Sequence, residues 1–173
     1  MTNLQRPQVG EYHPYFQGYI DQVPGGDFGA VMAENTKAAV DFFEGVPAGK
    51  IDFRYKEDKW SIKELLIHIT DAERVFSYRA LVAARGDNNV TLPTMDDHLY
   101  MQNSGAAERG YEDVLAEFKA VRSATEALFG SMSEKQSSFM AKTEAHAITA
   151  RALGYIIMGH VAHHTAIIKD RYL

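Results

Sequence analysis

Cysteine is absent from all 173 residues. Disulfides, thiolate metal ligands and a cysteine nucleophile are thereby excluded, so any metal must be held by nitrogen and oxygen. Long apolar runs are missing too. None approaches the roughly 18 residues of a membrane span, and the opening "MTNLQRPQVGEYHPYF" lacks the apolar core of a signal peptide. Basic charge is not in excess: a net charge of −5 with a pI near 5.8 argues against nucleic-acid binding and against attraction to an anionic membrane. No convincing strand, low-complexity tract or internal repeat is found. The expected setting is the cytoplasm. At 46% hydrophobic and 24% charged residues, the composition fits a globular chain with room for one core. A single domain over residues 1–173 is expected, with residues 1–20 as an extended leading segment.

Four stretches carry helical periodicity. In "DFGAVMAENTKAAVDFFEGV", Asp27 is placed to cap a helix after Pro24-Gly25-Gly26, and Phe28, Val31, Met32, Ala39, Phe42 and Val46 share one stripe. "WSIKELLIHITDAERVFSYRALVAARGD" opens on a capping box, Ser61 with Glu64, and closes on Arg85 and Gly86. Ile62, Leu65, Leu66, Ile69, Ala72 and Phe76 form its apolar face. Trp60 reads as a staple or core anchor, Asp71 and Glu73 as solvated acids. Residues 87–110 make too long a connection for a bundle turn, and "DDHLYMQNS" within them is a candidate short helix. "YEDVLAEFKAVRSATEALF" is the third long helix, broken by "GSMSEKQSS". The fourth is "TARALGYIIMGHVAHHTAIIKDRYL", with Leu153, Ile157, Ile167 and Ile168 in its apolar repeat. Four amphipathic helices with two long connections read as an all-α four-helix bundle.

"GHVAHH", residues 159–164, holds three of the seven histidines. His160 and His164, four apart, stack on one helical face and can offer two nitrogens to one ion. His163, three from His160, is an alternative that the spacing leaves open. A catalytic site of zinc type uses three protein ligands and an open position, so a third donor must come from another helix. His68, between Leu65 and Ala72 on the inward edge of the second helix, is the candidate. His13, His98 and His146 fall in loops or at segment ends and are weaker choices. Asp71, one turn after His68, is placed to orient an imidazole or accept a proton.

"KWSIKELLIHITDAERVFSYRAL" and "ITARALGYIIMGHVAHHTAIIKDRYL" resemble the two signature helices of the DinB/YfiT-like family of metal-dependent proteins. The W-S-x-x-E-x-x-x-H and G-H-x-x-H-H patterns carry the likeness, which extends over residues 18–173. The resemblance implies a bundle in which three histidines hold a divalent metal, and matching positions gives His68, His160 and His164, with His163 outside the set. It also implies an enzyme that transfers a low-molecular-weight thiol, such as bacillithiol or mycothiol, to a small electrophile. Other members point to thiol-dependent isomerisation or to hydrolysis. The expected ion is zinc or nickel, the partners a small-molecule substrate and a thiol cosubstrate, and the assembly a homodimer. A stress-related binding module without catalysis is the reading from a different class.

Overall fold

A computed structural model describes residues 4–173. The leading segment expected to be extended over residues 1–20 includes residues 1–3, which lie outside the described residues. Residues 4–13 carry no helix or strand, and from Pro14 the chain winds through a 3-10 turn into α1 (Gln17–Ile20). The long helices follow as α2 (Phe28–Glu44) and α3 (Ile62–Ala84). The long connection after α3 carries β1 (Thr91–Leu92) and α4 (Asp97–Gln102), then leads to α5 (Tyr111–Gly130). A second elaborated connection holds α6 (Glu134–Ser137), β2 (Met140–Thr143) and β3 (Ala147–Thr149) before α7 (Ala150–Arg171). The bundle is therefore α2, α3, α5 and α7, with α3 packed on α7 and α5, and α2 on α5 and α7. Among the described residues no helix is long and apolar enough to cross a membrane.

The helix ends form for the local reasons their residues supply. Asp27 accepts from Ala30 N at 2.9 Å. Ser61 Oγ accepts from Glu64 N while Glu64 accepts from Ser61 N at 2.7 Å, so two free amides are satisfied reciprocally. Gly86, just past α3, adopts φ 69°, a left-handed conformation that glycine enters without steric cost.

Two expectations are corrected here. Three short strands form a sheet, β1 parallel to β2 and β2 antiparallel to β3. With two to four residues each they carry too little period-two pattern to be seen locally, and they exist because two sequence-distant connections lie side by side. The serine-rich break after α5 also contains α6, opened by a second capping box of Ser133 with Gln136.

The core is divided. One apolar cluster includes Phe28, Ala80, Phe129 and Leu153; the other includes Phe43, Leu66, Phe118 and Ile168. A polar layer crosses the bundle between them, with a residue from each long helix. Glu73 of α3 and Arg122 of α5 form an ion pair at 2.8 Å, 2% and 0% exposed. Arg122 also donates to Asn35 of α2 at 2.9 Å, and Asn35 donates to the Met158 carbonyl of α7 at 3.2 Å. Glu73 is thus a buried partner and not the solvated acid expected. Burial, with a smaller push from the field of Glu126, raises its pKa against the pull of Arg122.

The N-terminal segment is fastened to the start of α7. Arg151 donates to both oxygens of Glu11 and to Glu134 at 2.9 Å. Thr149 adds a hydroxyl bond to Glu11 at 3.0 Å. Burial opposes ionisation of Glu11, yet the bonds from Arg151 and Thr149 prevail and hold its pKa below the usual carboxylate value of 4.5. A depressed folded-state pKa contributes stability above the unfolded pKa and loses it as pH falls through the folded one. Glu11→Gln should therefore cost about 1 kcal/mol at pH 7, the scale of a partly solvated charged bond. Urea midpoints of the two proteins should converge as pH falls from 7 through the depressed folded-state pKa of Glu11. A difference that stays constant across that range would remove ionised Glu11 from the account.

Candidate metal centre

His68 comes from the second turn of α3 and His160 and His164 from α7, where four-residue spacing sets both imidazoles toward α3. His68 Nε2 lies 3.2 Å from His160 Nε2, and His164 Nε2 lies 3.0 Å from the same atom. All three donor atoms fall within 4.8 Å of one another, the single group of this kind among the described residues. His68 and His160 are 7% and 6% exposed.

Burial pushes each imidazole down. His160 is driven well below the ordinary value of 6.5, first by desolvation and then by the two neighbouring rings. His164 is lowered to about 3 for the same reasons. His68 is lowered by burial despite the opposing fields of Asp97 and Asp71. Neutral rings at pH 7 keep lone pairs available. One nitrogen on His160 has a single proton or a single lone pair and cannot make good bonds to both neighbours. Nitrogens each about 2.1 Å from one ion stand about 3.0–3.4 Å apart, which is the spacing of His160 Nε2 from each of the other two. The donor set fits a divalent cation. The outer ring of partners is less complete: His68 Nδ1 is 4.0 Å from Asp97 Oδ1, whereas His164 Nδ1 is buried with no protein partner.

The other candidates separate cleanly. His163 packs its ring against Tyr19 and His164, 5.2 Å between centroids in each case, and stands outside the convergent set. His98 sits on α4 beside Trp60 at 5.7 Å. His13 and His146 stack on each other at 5.1 Å elsewhere in the cavity described below. Asp71 is half-buried and bonded to Arg74; Asp97 of α4 is the carboxylate that reaches the His68 ring. Asp97 escaped the sequence reading because only the fold of the long connection brings α4 over α3. Trp60 packs against His68, 5.0 Å between rings, so the expected anchor braces a site residue.

A cavity of about 360 Å³ reaches His68 and His160, walled by Phe16, Tyr19, Phe76 and residues of both elaborated connections. A smaller one of about 300 Å³ touches His164 from the other side. The floor depends on a glycine. A Cβ on Gly159 would stand 2.0 Å from the Tyr19 carbonyl oxygen and 2.4 Å from its carbon, so α1 rests backbone-first on α7, one residue before His160. Tyr19 then meets the His160 ring edge-on at 5.5 Å. Gly159→Ala should destabilise the fold by about 2–4 kcal/mol, since backbone cannot step aside as a side chain can. A urea midpoint change worth less than about 0.5 kcal/mol would show that α1 yields freely.

Comparisons agree with this architecture. The chain is similar to YfiT from Bacillus subtilis, described as a probable metal-dependent hydrolase with an unusual four-helix bundle topology. That match has 14% identity and a TM-score of 0.66, covering 96% of this chain and 91% of that one. It is similar to the mycothiol-dependent maleylpyruvate isomerase at 11% identity and TM-score 0.69, over 85% of this chain but only 61% of the enzyme. A DinB-like protein, YjoA of Bacillus subtilis, matches at 17% identity and TM-score 0.59, over 84% and 88%. No curated protein matches. At these identities the likenesses establish the fold, the four-helix bundle with its DinB-like topology. The family model of the DinB superfamily matches residues 32–168, a span that contains all three convergent histidines, and the chain belongs to that superfamily.

Proposed function

We propose that the protein is a divalent-metal-dependent enzyme in which His68, His160 and His164 hold the ion, zinc or nickel being our choice among the ions that imidazole suits. The observation that carries this is the convergence of three Nε2 atoms, with His160 3.0–3.2 Å from each of the other two, beside an open cavity that His68 and His160 line. Three protein donors with a cavity alongside match a catalytic site more closely than a closed structural one. A divalent ion in that position supplies Lewis acidity, lowering the pKa of a thiol or water that reaches it. The chain's own residues do the rest. Trp60 and Tyr19 pack against the His68 and His160 rings, the Asp97 carboxylate lies near His68 Nδ1, and the aromatic wall excludes water from an organic substrate.

The reaction we assign is transfer of a low-molecular-weight thiol to a small electrophile. The chain has no thiol of its own, so the nucleophile must enter as cosubstrate, and the cavity has the size of a metabolite site. The similar fold of a mycothiol-dependent isomerase supports this choice. Hydrolysis is the second reading, supported by the similar fold of a probable metal-dependent hydrolase, with Asp97 as a carboxylate on the same cavity wall. Titrating N-acetylcysteine into cobalt-substituted protein separates the two. A thiolate-to-cobalt charge-transfer band that saturates with thiol is expected. No spectral change at saturating thiol would leave hydrolysis as the working assignment.

A further inference from the structure

The cavity is polarised along its length. His68, Ala72, Phe76 and Arg79 occupy α3 at offsets of four, eight and eleven, within an arc of about 80°, so one helical row runs along the cavity wall. Arg79 stands about 16 Å beyond His68 along the axis. The histidine end carries Asp97. The far end carries Arg79, His13 and His146, brought together from α3, the leading segment and the β2–β3 turn.

Arg79 is half-buried and sits beside the Phe76 ring at 5.9 Å. It donates through Nη2 to the Pro93 carbonyl, and no carboxylate lies within ion-pair distance of it among the described residues. Glu144, whose field reaches it, is turned instead to Thr94, accepting from its amide and hydroxyl at 2.9 and 3.2 Å. A guanidinium has five N–H donors and strongly prefers an oxyanion. The two imidazoles complement it. His13 Nδ1 accepts from Tyr15 N at 3.2 Å, which in the neutral ring places the proton on Nε2 as a donor. His146 Nδ1 is buried with no partner, and Phe16 packs on that ring at 5.6 Å.

We infer that Arg79, His13 and His146 form an oxyanion subsite at the end of the cavity away from the three-histidine cluster. The substrate is then a small, largely apolar molecule carrying one carboxylate or phosphate, gripped at Arg79 while its reacting atom faces His68 and His160. This rests on the proposed function only for where the reaction occurs; the subsite itself stands on the far end of the cavity.

Calorimetry on the metal-loaded protein tests it with three probes: 3-phenylpropanoate, 2-phenylethyl phosphate and neutral 3-phenylpropanamide. At least one anion should bind tenfold or more tightly than the amide, and whichever anion is preferred identifies the source of the charge. Arg79→Gln should erase that preference, Arg79→Lys should keep part of it, and His160→Ala, measured as the metal-depleted protein it yields, should leave it intact. Equal binding of all three probes overturns the subsite, as does a preference that survives Arg79→Gln. A preference that survives Arg79→Gln but vanishes in His160→Ala places the anion at the histidine cluster, which overturns the subsite while supporting the metal assignment. An Arg79-dependent preference in protein that takes up no metal has the opposite meaning: the subsite stands and the proposed enzyme falls. Helical circular dichroism and urea midpoints establish that each variant is folded, and Arg79→Lys carries the test if Arg79→Gln is not.

Discussion

His160→Ala protein, prepared without a histidine tag, is expected to contain less than a tenth of the near-stoichiometric metal of the wild type. His160 Nε2 is the atom to which both other donors approach, at 3.2 and 3.0 Å, so its loss leaves two imidazoles with no common neighbour. Affinity should fall by more than the roughly 10–100-fold that outer partners of a metal site control. His163→Ala is the matched control, since His163 packs on Tyr19 outside the set, and should retain its metal. The same ion would tie α3 to α7 across 92 residues of a chain with no disulfide. Chelation should therefore lower the thermal midpoint, by an amount set by free metal over its dissociation constant, about 2.7 kcal/mol at a hundredfold excess. Wild-type protein that folds without metal and cannot be loaded would reduce the cluster to a packing arrangement of histidines.

Glu73→Ala is expected to cost about 3–5 kcal/mol in guanidinium unfolding, the penalty of leaving Arg122 charged and unpaired in the interior. Both side chains are almost wholly buried, and water cannot replace the missing carboxylate. The pair is exchangeable as a unit: Glu73→Leu with Arg122→Met should recover most of the loss, because an apolar replacement carries no desolvation penalty. If Glu73→Ala alone costs below about 1 kcal/mol, the polar layer is more hydrated than its burial indicates. The double variant also reports whether the layer serves the metal. Arg122's field reaches His160, and unchanged metal affinity there would make the ion pair a matter of stability alone.

Much of this was written into local sequence. The four long helices follow from apolar spacing, from the Asp27 and Ser61 caps and from Gly86, each acting within a few residues. Their agreement is why the bundle is legible. His160 and His164 are legible together because a helix fixes four-residue neighbours, while choosing between His163 and His164 takes the family pattern or the packing of Tyr19. Other features depend on distant chain. β1 finds its partner about fifty positions away, and the His13–His146 contact joins residues from near opposite ends of the sequence. Neither leaves a trace in its own neighbourhood. Glu73 and Arg122 did leave one: Leu66, Ile69 and Glu73 share a stripe, as do Phe118, Arg122 and Phe129. Opposite charges interrupting two apolar stripes are a signature of a buried pair.

The residues of α7 from 152 to 161 are all buried, so over that length the helix has no wet side. An ordinary surface helix is oriented about its own axis by the contrast between its faces, and this one lacks that contrast. Its rotational setting must come from shape. Two notches supply it. A Cβ on Gly154 would lie 2.8 Å from Phe28 and 2.9 Å from Phe129, and Gly159 receives the Tyr19 backbone. The glycines are five positions apart, about 140° around the axis, so the helix is keyed from two sides. Slipping by one residue would swing His160 and His164 through about 100° and point both imidazoles away from His68. Two side chains reduced to hydrogen thus aim two others at a common point.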